Sequence, residues 1–172
     1  MTDPALLTLQ KDIDRLATEV GVLLKKTGVK LATAESCTGG WVAQAITSVP
    51  GSSAWFDRGF VTYSNEAKIE MLGVATATLA HHGAVSEAVA REMAQGAIRH
   101  SRAHLSVSIT GVAGPDGGSE EKPVGTVWIG LALPGGVETV LRTLVGSREE
   151  IRGRAVQLAL HELRQRLRLL PE

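Results

Sequence analysis

Apolar positions recur along this chain with two different periods, and the changes of period mark its elements. Leu6, Leu9, Ile13, Leu16, Val20 and Leu23 fall at helical spacing. Asp3 and Pro4 precede them as N-cap and first helical residue, and Gly28 follows as the closing glycine. The run 29–34 predicts a short strand, 35–40 a turn, and 41–49 the helix that leaves it. After a Pro-Gly-Ser-Ser loop at 50–53, residues 58–63 predict a second strand, and Ser64 or Asn65 caps a short helix ending near Gly73. A further helical turn covers 76–81. Ser86 caps a helix to about Ser101 with Val89, Met93 and Ala97 facing inward. Residues 105–109 predict a buried strand, and 126–133 with 137–144 a hairpin around Pro134-Gly135-Gly136. Ser147 and Glu150 form a capping box for a last helix that turns Ile151, Ala155, Leu158 and Leu163 inward.

Helices alternating with strands, followed by a hairpin, predict an α/β fold: three layers, α/β/α, with a mixed, mainly parallel sheet. The order of strands in that sheet does not follow from the pattern. No repeat, low-complexity segment or linker divides residues 1–172, which read as a single domain.

Composition narrows the functions. The 172 residues suit one domain with a sizeable core. Lys plus Arg and Asp plus Glu are each 18, so the net charge is zero, which argues against a broad nucleic-acid surface. One cysteine, Cys37, excludes a disulfide within the chain and a cysteine-based zinc site. The start, Met-Thr-Asp-Pro, lacks the pattern of a signal peptide, and no stretch approaches the roughly 20 apolar residues of a membrane span. A soluble protein of the reducing cytoplasm, with no nucleic-acid or membrane partner, is expected.

Three segments carry residue types suited to chemistry. In Ala34-Glu35-Ser36-Cys37-Thr38-Gly39-Gly40 a strand turns into a helix whose first N–H groups suit an oxyanion or a phosphate. Ser36 is a candidate nucleophile there and Thr38 a ligand contact; Cys37 is the rival nucleophile, and the sequence leaves the two open. The segment lacks the Gly-Lys of a phosphate-binding P-loop. In the run 60–68, Lys68 falls in the first turn of a helix, where a cation meets the positive end of the dipole. Such a lysine, once desolvated, becomes a usable general base. Tyr63, the only tyrosine, precedes the cap. The third segment, 108–118, is rich in glycine and follows a buried strand, where α/β proteins place ligand loops. It opens the polar stretch 111–125, and a loop that long inside a compact domain is more often functional than idle. His81, His82, His100, His104 and His161 all sit in or beside helices away from these loops, and no His-Glu-x-x-His motif is present. Lys68 is therefore a better partner for Ser36 than any histidine.

Together these segments resemble the CinA C-terminal domain family, whose active members are nicotinamide-nucleotide amidohydrolases. The matching runs are Ala-Glu-Ser-Cys-Thr-Gly-Gly at 34–40, Gly-Phe-Val-Thr-Tyr-Ser-Asn-Glu-Ala-Lys at 59–68 and Gly-Ala-Val-Ser at 83–86. Ile-Thr-Gly-Val-Ala-Gly-Pro-Asp-Gly-Gly at 109–118, Lys-Pro-Val-Gly-Thr-Val at 122–127 and the helix start from Arg148 to Arg152 complete the set. The resemblance spans about residues 5–168; Ser147 stands where the family more often has Asp. It implies hydrolysis of the carboxamide of nicotinamide mononucleotide to nicotinic acid mononucleotide and ammonia, without metal or organic cofactor. It also implies a serine nucleophile at Ser36, a lysine base at Lys68, and Tyr63 and Thr110 completing the polar site. The expected substrate contacts are Thr38, Gly39, Gly40, Asn65, Gly111, Gly114, Arg148 and Arg152, the two arginines for the phosphate. Many members carry a further N-terminal nucleotide-pyrophosphatase domain, so this chain would be a stand-alone form, and a homodimer is the expected assembly. Some members are inactive, which keeps a non-catalytic nucleotide-binding module as the alternative, beside an amidase for another carboxamide.

Overall fold

The computed structural model describes residues 3–171. Met1 and Thr2, the first half of the start read above as no signal peptide, lie outside the described residues. The chain opens with α1 (Pro4–Thr27), capped by the Asp3 carboxylate, which accepts from the Ala5 amide, and closed by Gly28 at φ 67°. Strand β1 (Leu31–Glu35) follows, then α2 (Trp41–Thr47), a short 3₁₀ turn (Ser52–Ala54) and β2 (Phe56–Val61). Three helices come next: α3 (Asn65–Leu72), α4 (Thr76–His82) and α5 (Glu87–Arg99). Strand β3 (Leu105–Gly111) leads into the long loop, and β4 (Thr126–Leu133), β5 (Gly136–Thr143) and α6 (Arg148–Leu167) complete the chain.

The sheet order is β2-β1-β3-β4-β5. Strands β2, β1 and β3 are parallel, and β4 is antiparallel to both its neighbours, so four of the five strands run one way. The period of two sorts each inner strand between two cores. On one face Leu31, Leu105, Val107, Ile109, Val127, Ile129 and Leu131 pack against α1, α2 and α6. On the other, Ala32, Ala34 and Phe60 meet Leu72, Leu79, Val89, Met93 and Ala97 of α3, α4 and α5.

Helix α5 lies close against the sheet. The small residues of β3 that face it are polar, and each is satisfied by a main-chain carbonyl: Ser106 Oγ donates to Ala94 O at 2.6 Å, Ser108 Oγ to Ala90 O at 2.6 Å, and Thr110 Oγ1 to Ala84 O at 2.8 Å. Opposite Ser108 stands Gly130, where a Cβ would come within 2.5 Å of Ala90 O. These bonds fix the height of α5, and of the 83–86 loop before it, over the end of β3. None of the helices among the described residues is long and apolar enough to cross a membrane.

From β1 the chain leaves through α2 on one face. From β2 it returns through α3, α4 and α5 on the other face and enters β3. The strand order therefore reverses between β1 and β3, and a crevice opens beyond their carboxyl ends, where open α/β sheets bind ligands.

Candidate active site

Three chain segments meet at that crevice. The first is the turn after β1. Its amide Ser36 N donates to Ile109 O at 3.0 Å, which ties the turn to the end of β3. Gly39 at φ 61° and Gly40 at φ 97° take torsions that other residues rarely adopt. The buried Glu35 carboxylate closes the turn from inside: Oε2 accepts from Thr38 Oγ1 at 2.7 Å, Gly40 N at 3.1 Å and Val42 N at 3.0 Å, and Oε1 from Ala43 N at 2.8 Å. These are first-turn amides of α2, so the positive helix end that the sequence offers to a ligand anion is already neutralised by Glu35.

The second segment is the β2–α3 connection. Thr62 N donates to Glu35 O at 2.8 Å, extending the pairing of β2 with β1 past the strand end. Ser64 caps α3 by accepting from Ala67 N at 3.0 Å. One residue beyond the first three, the side chain of Lys68 turns inward and is 1% exposed. Its Nζ lies 3.1 Å from Ser36 Oγ, 2.8 Å from Thr62 O and 3.3 Å from Tyr63 O. All three partners are neutral oxygens. Burial disfavours the ammonium form and pulls the Lys68 pKa below the ordinary lysine range, while the Cys37 thiol acts weakly in the other sense. An amine in this cage can donate two N–H groups to the carbonyls and direct its lone pair at the Ser36 hydroxyl.

The third segment is the glycine-rich loop after β3. It is pinned at its base by Val112 N donating to Thr126 O at 2.9 Å and Gly125 N donating to Val112 O at 2.7 Å. Arg148, the first residue of α6, reaches over it. Nη1 donates to Gly114 O at 2.6 Å and Nη2 to Tyr63 Oη at 3.3 Å. Tyr63 is 64% exposed, a rim residue and not a core aromatic.

Between these segments lies a cleft of about 340 Å³. Of the residues singled out from the sequence, Ser36, Tyr63, Asn65, Lys68, Thr110, Gly111, Gly114 and Arg148 line it. Thr38, Gly39, Gly40 and Arg152 fall outside its lining. Thr38 is fully buried with its hydroxyl on Glu35. Arg152 lies behind the turn, where Nε donates to Cys37 O at 3.0 Å and Nη2 to Thr38 O at 3.2 Å, with its guanidinium 5.7 Å from the Trp41 ring centre. It braces the carbonyls of the Ser36 turn and does not open into the cleft. Cys37 touches the cleft, yet burial pushes its thiol up to about 11, so it is protonated near neutrality.

Two contributors escaped the sequence reading. Glu35 was inside the first motif, and its signal was an acid placed just before a glycine-rich helix start, where a carboxylate is favoured. Asp116, in the third motif, is the only acid lining the cleft among the described residues. Also among the described residues, no group of three or more His, Cys, Asp or Glu is arranged to hold a metal ion.

The model of the CinA C-terminal domain matches residues 13–167. The nicotinamide-nucleotide amidohydrolase PncC of Escherichia coli (strain K12) is 55% identical over 166 residues, which cover 96% of each chain. A putative competence-damage inducible protein of Symbiobacterium thermophilum is 51% identical over 91% of this chain, but over only 39% of its own length. Among solved structures, the competence/damage inducible protein CihA of Agrobacterium tumefaciens superposes with a TM-score of 0.87 at 48% identity, covering 91% of this chain and 96% of that one. A CinA superfamily protein of Klebsiella pneumoniae gives 0.89 at 39% identity, covering 92% and 99%.

Proposed function

The chain belongs to the CinA C-terminal domain family, and from that premise we propose that it hydrolyses the carboxamide of nicotinamide mononucleotide to nicotinic acid mononucleotide and ammonia. The observation that carries the reading is the buried contact between Lys68 Nζ and Ser36 Oγ at the floor of the cleft. It is supported by the likeness, over nearly its whole length, to a protein named as a nicotinamide-nucleotide amidohydrolase.

In this reading neutral Lys68 takes the Ser36 proton as Oγ attacks the amide carbon. Main-chain amides of Ala113 and Gly114, which line the cleft, donate to the oxyanion. The Lys68 ammonium then protonates the departing nitrogen, which leaves as ammonia, and an ester to Ser36 remains. Water, deprotonated by Lys68, attacks the ester and releases the acid with the proton returning to Ser36. Thr110 holds the cleft wall through Ala84 O, and Tyr63, Asn65 and Arg148 meet the ribose and phosphate at the mouth. Thr38, Gly39, Gly40 and Arg152 shape the nucleophile turn. The dimer expected from the sequence stays part of the proposal; sedimentation equilibrium reads it directly against 18.1 kDa for one chain.

The test is ammonia release from nicotinamide mononucleotide. Ser36→Ala should lower kcat by about three orders of magnitude or more. An active Ser36→Ala protein beside a dead Cys37→Ala protein would transfer the nucleophile to the thiol.

A further inference from the structure

Lys68 is distinguished by what does not face it. Its Nζ meets a hydroxyl and two carbonyls, and among the described residues no ion pair joins it to an acid. The charged and titratable groups of the surrounding elements are committed to other partners or exposed. Glu35 of β1 is saturated by one hydroxyl and three amides. Glu92 of α5 holds Ala75 N and Thr78. Glu66, on α3 itself, is exposed, and Asp116, exposed in the loop, lines the same cleft without bonding Nζ. Arg148 of α6 is bound to Gly114 O and Tyr63, and the Cys37 thiol is protonated. Among the described residues, only neutral oxygens bond the Lys68 amine, so a charge brought in by a ligand bears on its proton directly.

A carboxamide carbon in attacking range stands about 3–3.5 Å from Ser36 Oγ, which is itself 3.1 Å from Lys68 Nζ. A ring bonded to that carbon comes within roughly 5–8 Å of Nζ. If the ring bears a fixed positive charge, as an N-glycosylated pyridinium does, it repels an ammonium across a site of low dielectric.

We propose that this site selects cationic-ring carboxamides over neutral ones because the ring charge expels the proton from Lys68 and so arms the base. The proposal rests on the amidohydrolase reading and adds the substrate property that switches it on. On binding, the fraction of Lys68 that is ammonium gives its proton to solvent, and the amine remains directed at Ser36. A neutral carboxamide such as free nicotinamide brings no such repulsion and leaves the proton balance of Lys68 as it is in the free site. The hydrolysed product carries a carboxylate at the same place, which favours the ammonium again and resets the site.

The wild-type enzyme supplies the first test. With nicotinamide mononucleotide, the acid limb of kcat, which reports the complex, should lie about one pH unit or more below that of kcat/KM, which reports the free enzyme. Coincident limbs would overturn the proposal. The second test uses Ser36→Ala, which keeps Lys68 and stops turnover. Calorimetry in two buffers of different ionisation enthalpy counts the protons released on binding the oxidised mononucleotide and its 1,4-dihydropyridine form, whose ring is uncharged. At mildly alkaline pH the phosphate (second pKa about 6) is dianionic in both, so the ring charge is the difference. The oxidised form should release more protons, by a sizeable fraction of one per site, and adding Lys68→Met should erase the difference. Equal release from the two ligands would overturn the idea. Ammonia release by the wild type separates the layers: without it both readings fall, whereas ammonia with coincident limbs leaves the amidase and removes the arming of Lys68.

Discussion

Lys68 is the residue on which the proposed chemistry turns, and its burial ties that chemistry to stability. Its pKa is lowered in the folded chain by burial, so between the folded and unfolded values the unfolded state binds more protons. Stability should therefore rise with pH through that window and be flat below the folded value. Urea unfolding across neutral to alkaline pH checks this, and Lys68→Met should remove that part of the slope. Activity should climb along an acid limb set by the same group. Lys68→Arg should lose at least about a hundredfold in kcat, because guanidinium does not deprotonate at these pH values; a largely active Lys68→Arg enzyme would send the base elsewhere. Cys37 offers the contrast. Its thiol is held protonated by burial, so Cys37→Ala should keep kcat within several-fold of wild type and cost about 1 kcal/mol of packing. Thermal unfolding and ammonia release on one preparation read both.

At the scale of elements, the turn between β1 and α2 is organised by a side chain and not by a ligand. Glu35 takes four donors in a dry setting, and such charge-assisted bonds are the strong ones. Glu35→Gln places an NH₂ against at least one main-chain N–H and removes the charge from the helix end. A loss of about 1–3 kcal/mol is expected, with kcat falling more than KM rises because Ser36 is carried on the loosened turn. An unchanged melting temperature would mean that the carboxylate does not hold the turn. The contact of α5 with the sheet is similarly narrow. In Gly130→Ala the new methyl meets Ala90 O and Ser108, and overpacking of this kind costs about 1–3 kcal/mol; a protein as stable as wild type would show that α5 can move.

At the scale of the whole molecule, two arginines one helical turn apart on α6 should separate in their effects. Arg148 faces the cleft mouth, while Arg152 braces the carbonyls of Cys37 and Thr38 from behind. Arg148→Ala should raise KM for the mononucleotide by about tenfold or more and change KM for the riboside little, since a charged hydrogen bond to phosphate is worth about 1.5–3 kcal/mol. Arg152→Ala should lower kcat on both substrates alike and lower the melting temperature. Steady-state kinetics with the two substrates decides, and equal KM effects on both would remove Arg148 from the phosphate. The first helix and the last pack together beside the sheet, so the end of the chain positions a turn more than a hundred residues earlier.

The sequence by itself determined the elements, because their signals are local. The Asp3-Pro4 start, the Ser64 and Ser86 caps, the Ser147–Glu150 box and the hairpin around 134–136 each depend on neighbours a few residues away, and all are present. It also singled out Ser36, Lys68 and the 108–118 segment as candidates, because each breaks or exploits a local rule, and all three line the cleft. The tertiary structure decided how they meet. Strand order is a contest between whole faces, and only the sequence β2-β1-β3 puts the ends of β1 and β3 side by side with α3 folding back over them. That arrangement brings Lys68 to Ser36 across 32 positions, commits the α2 helix end to Glu35, and divides the arginines of α6 between cleft and brace. Partners so far apart in the chain are chosen by packing, and packing leaves no mark in the spacing of residues along it.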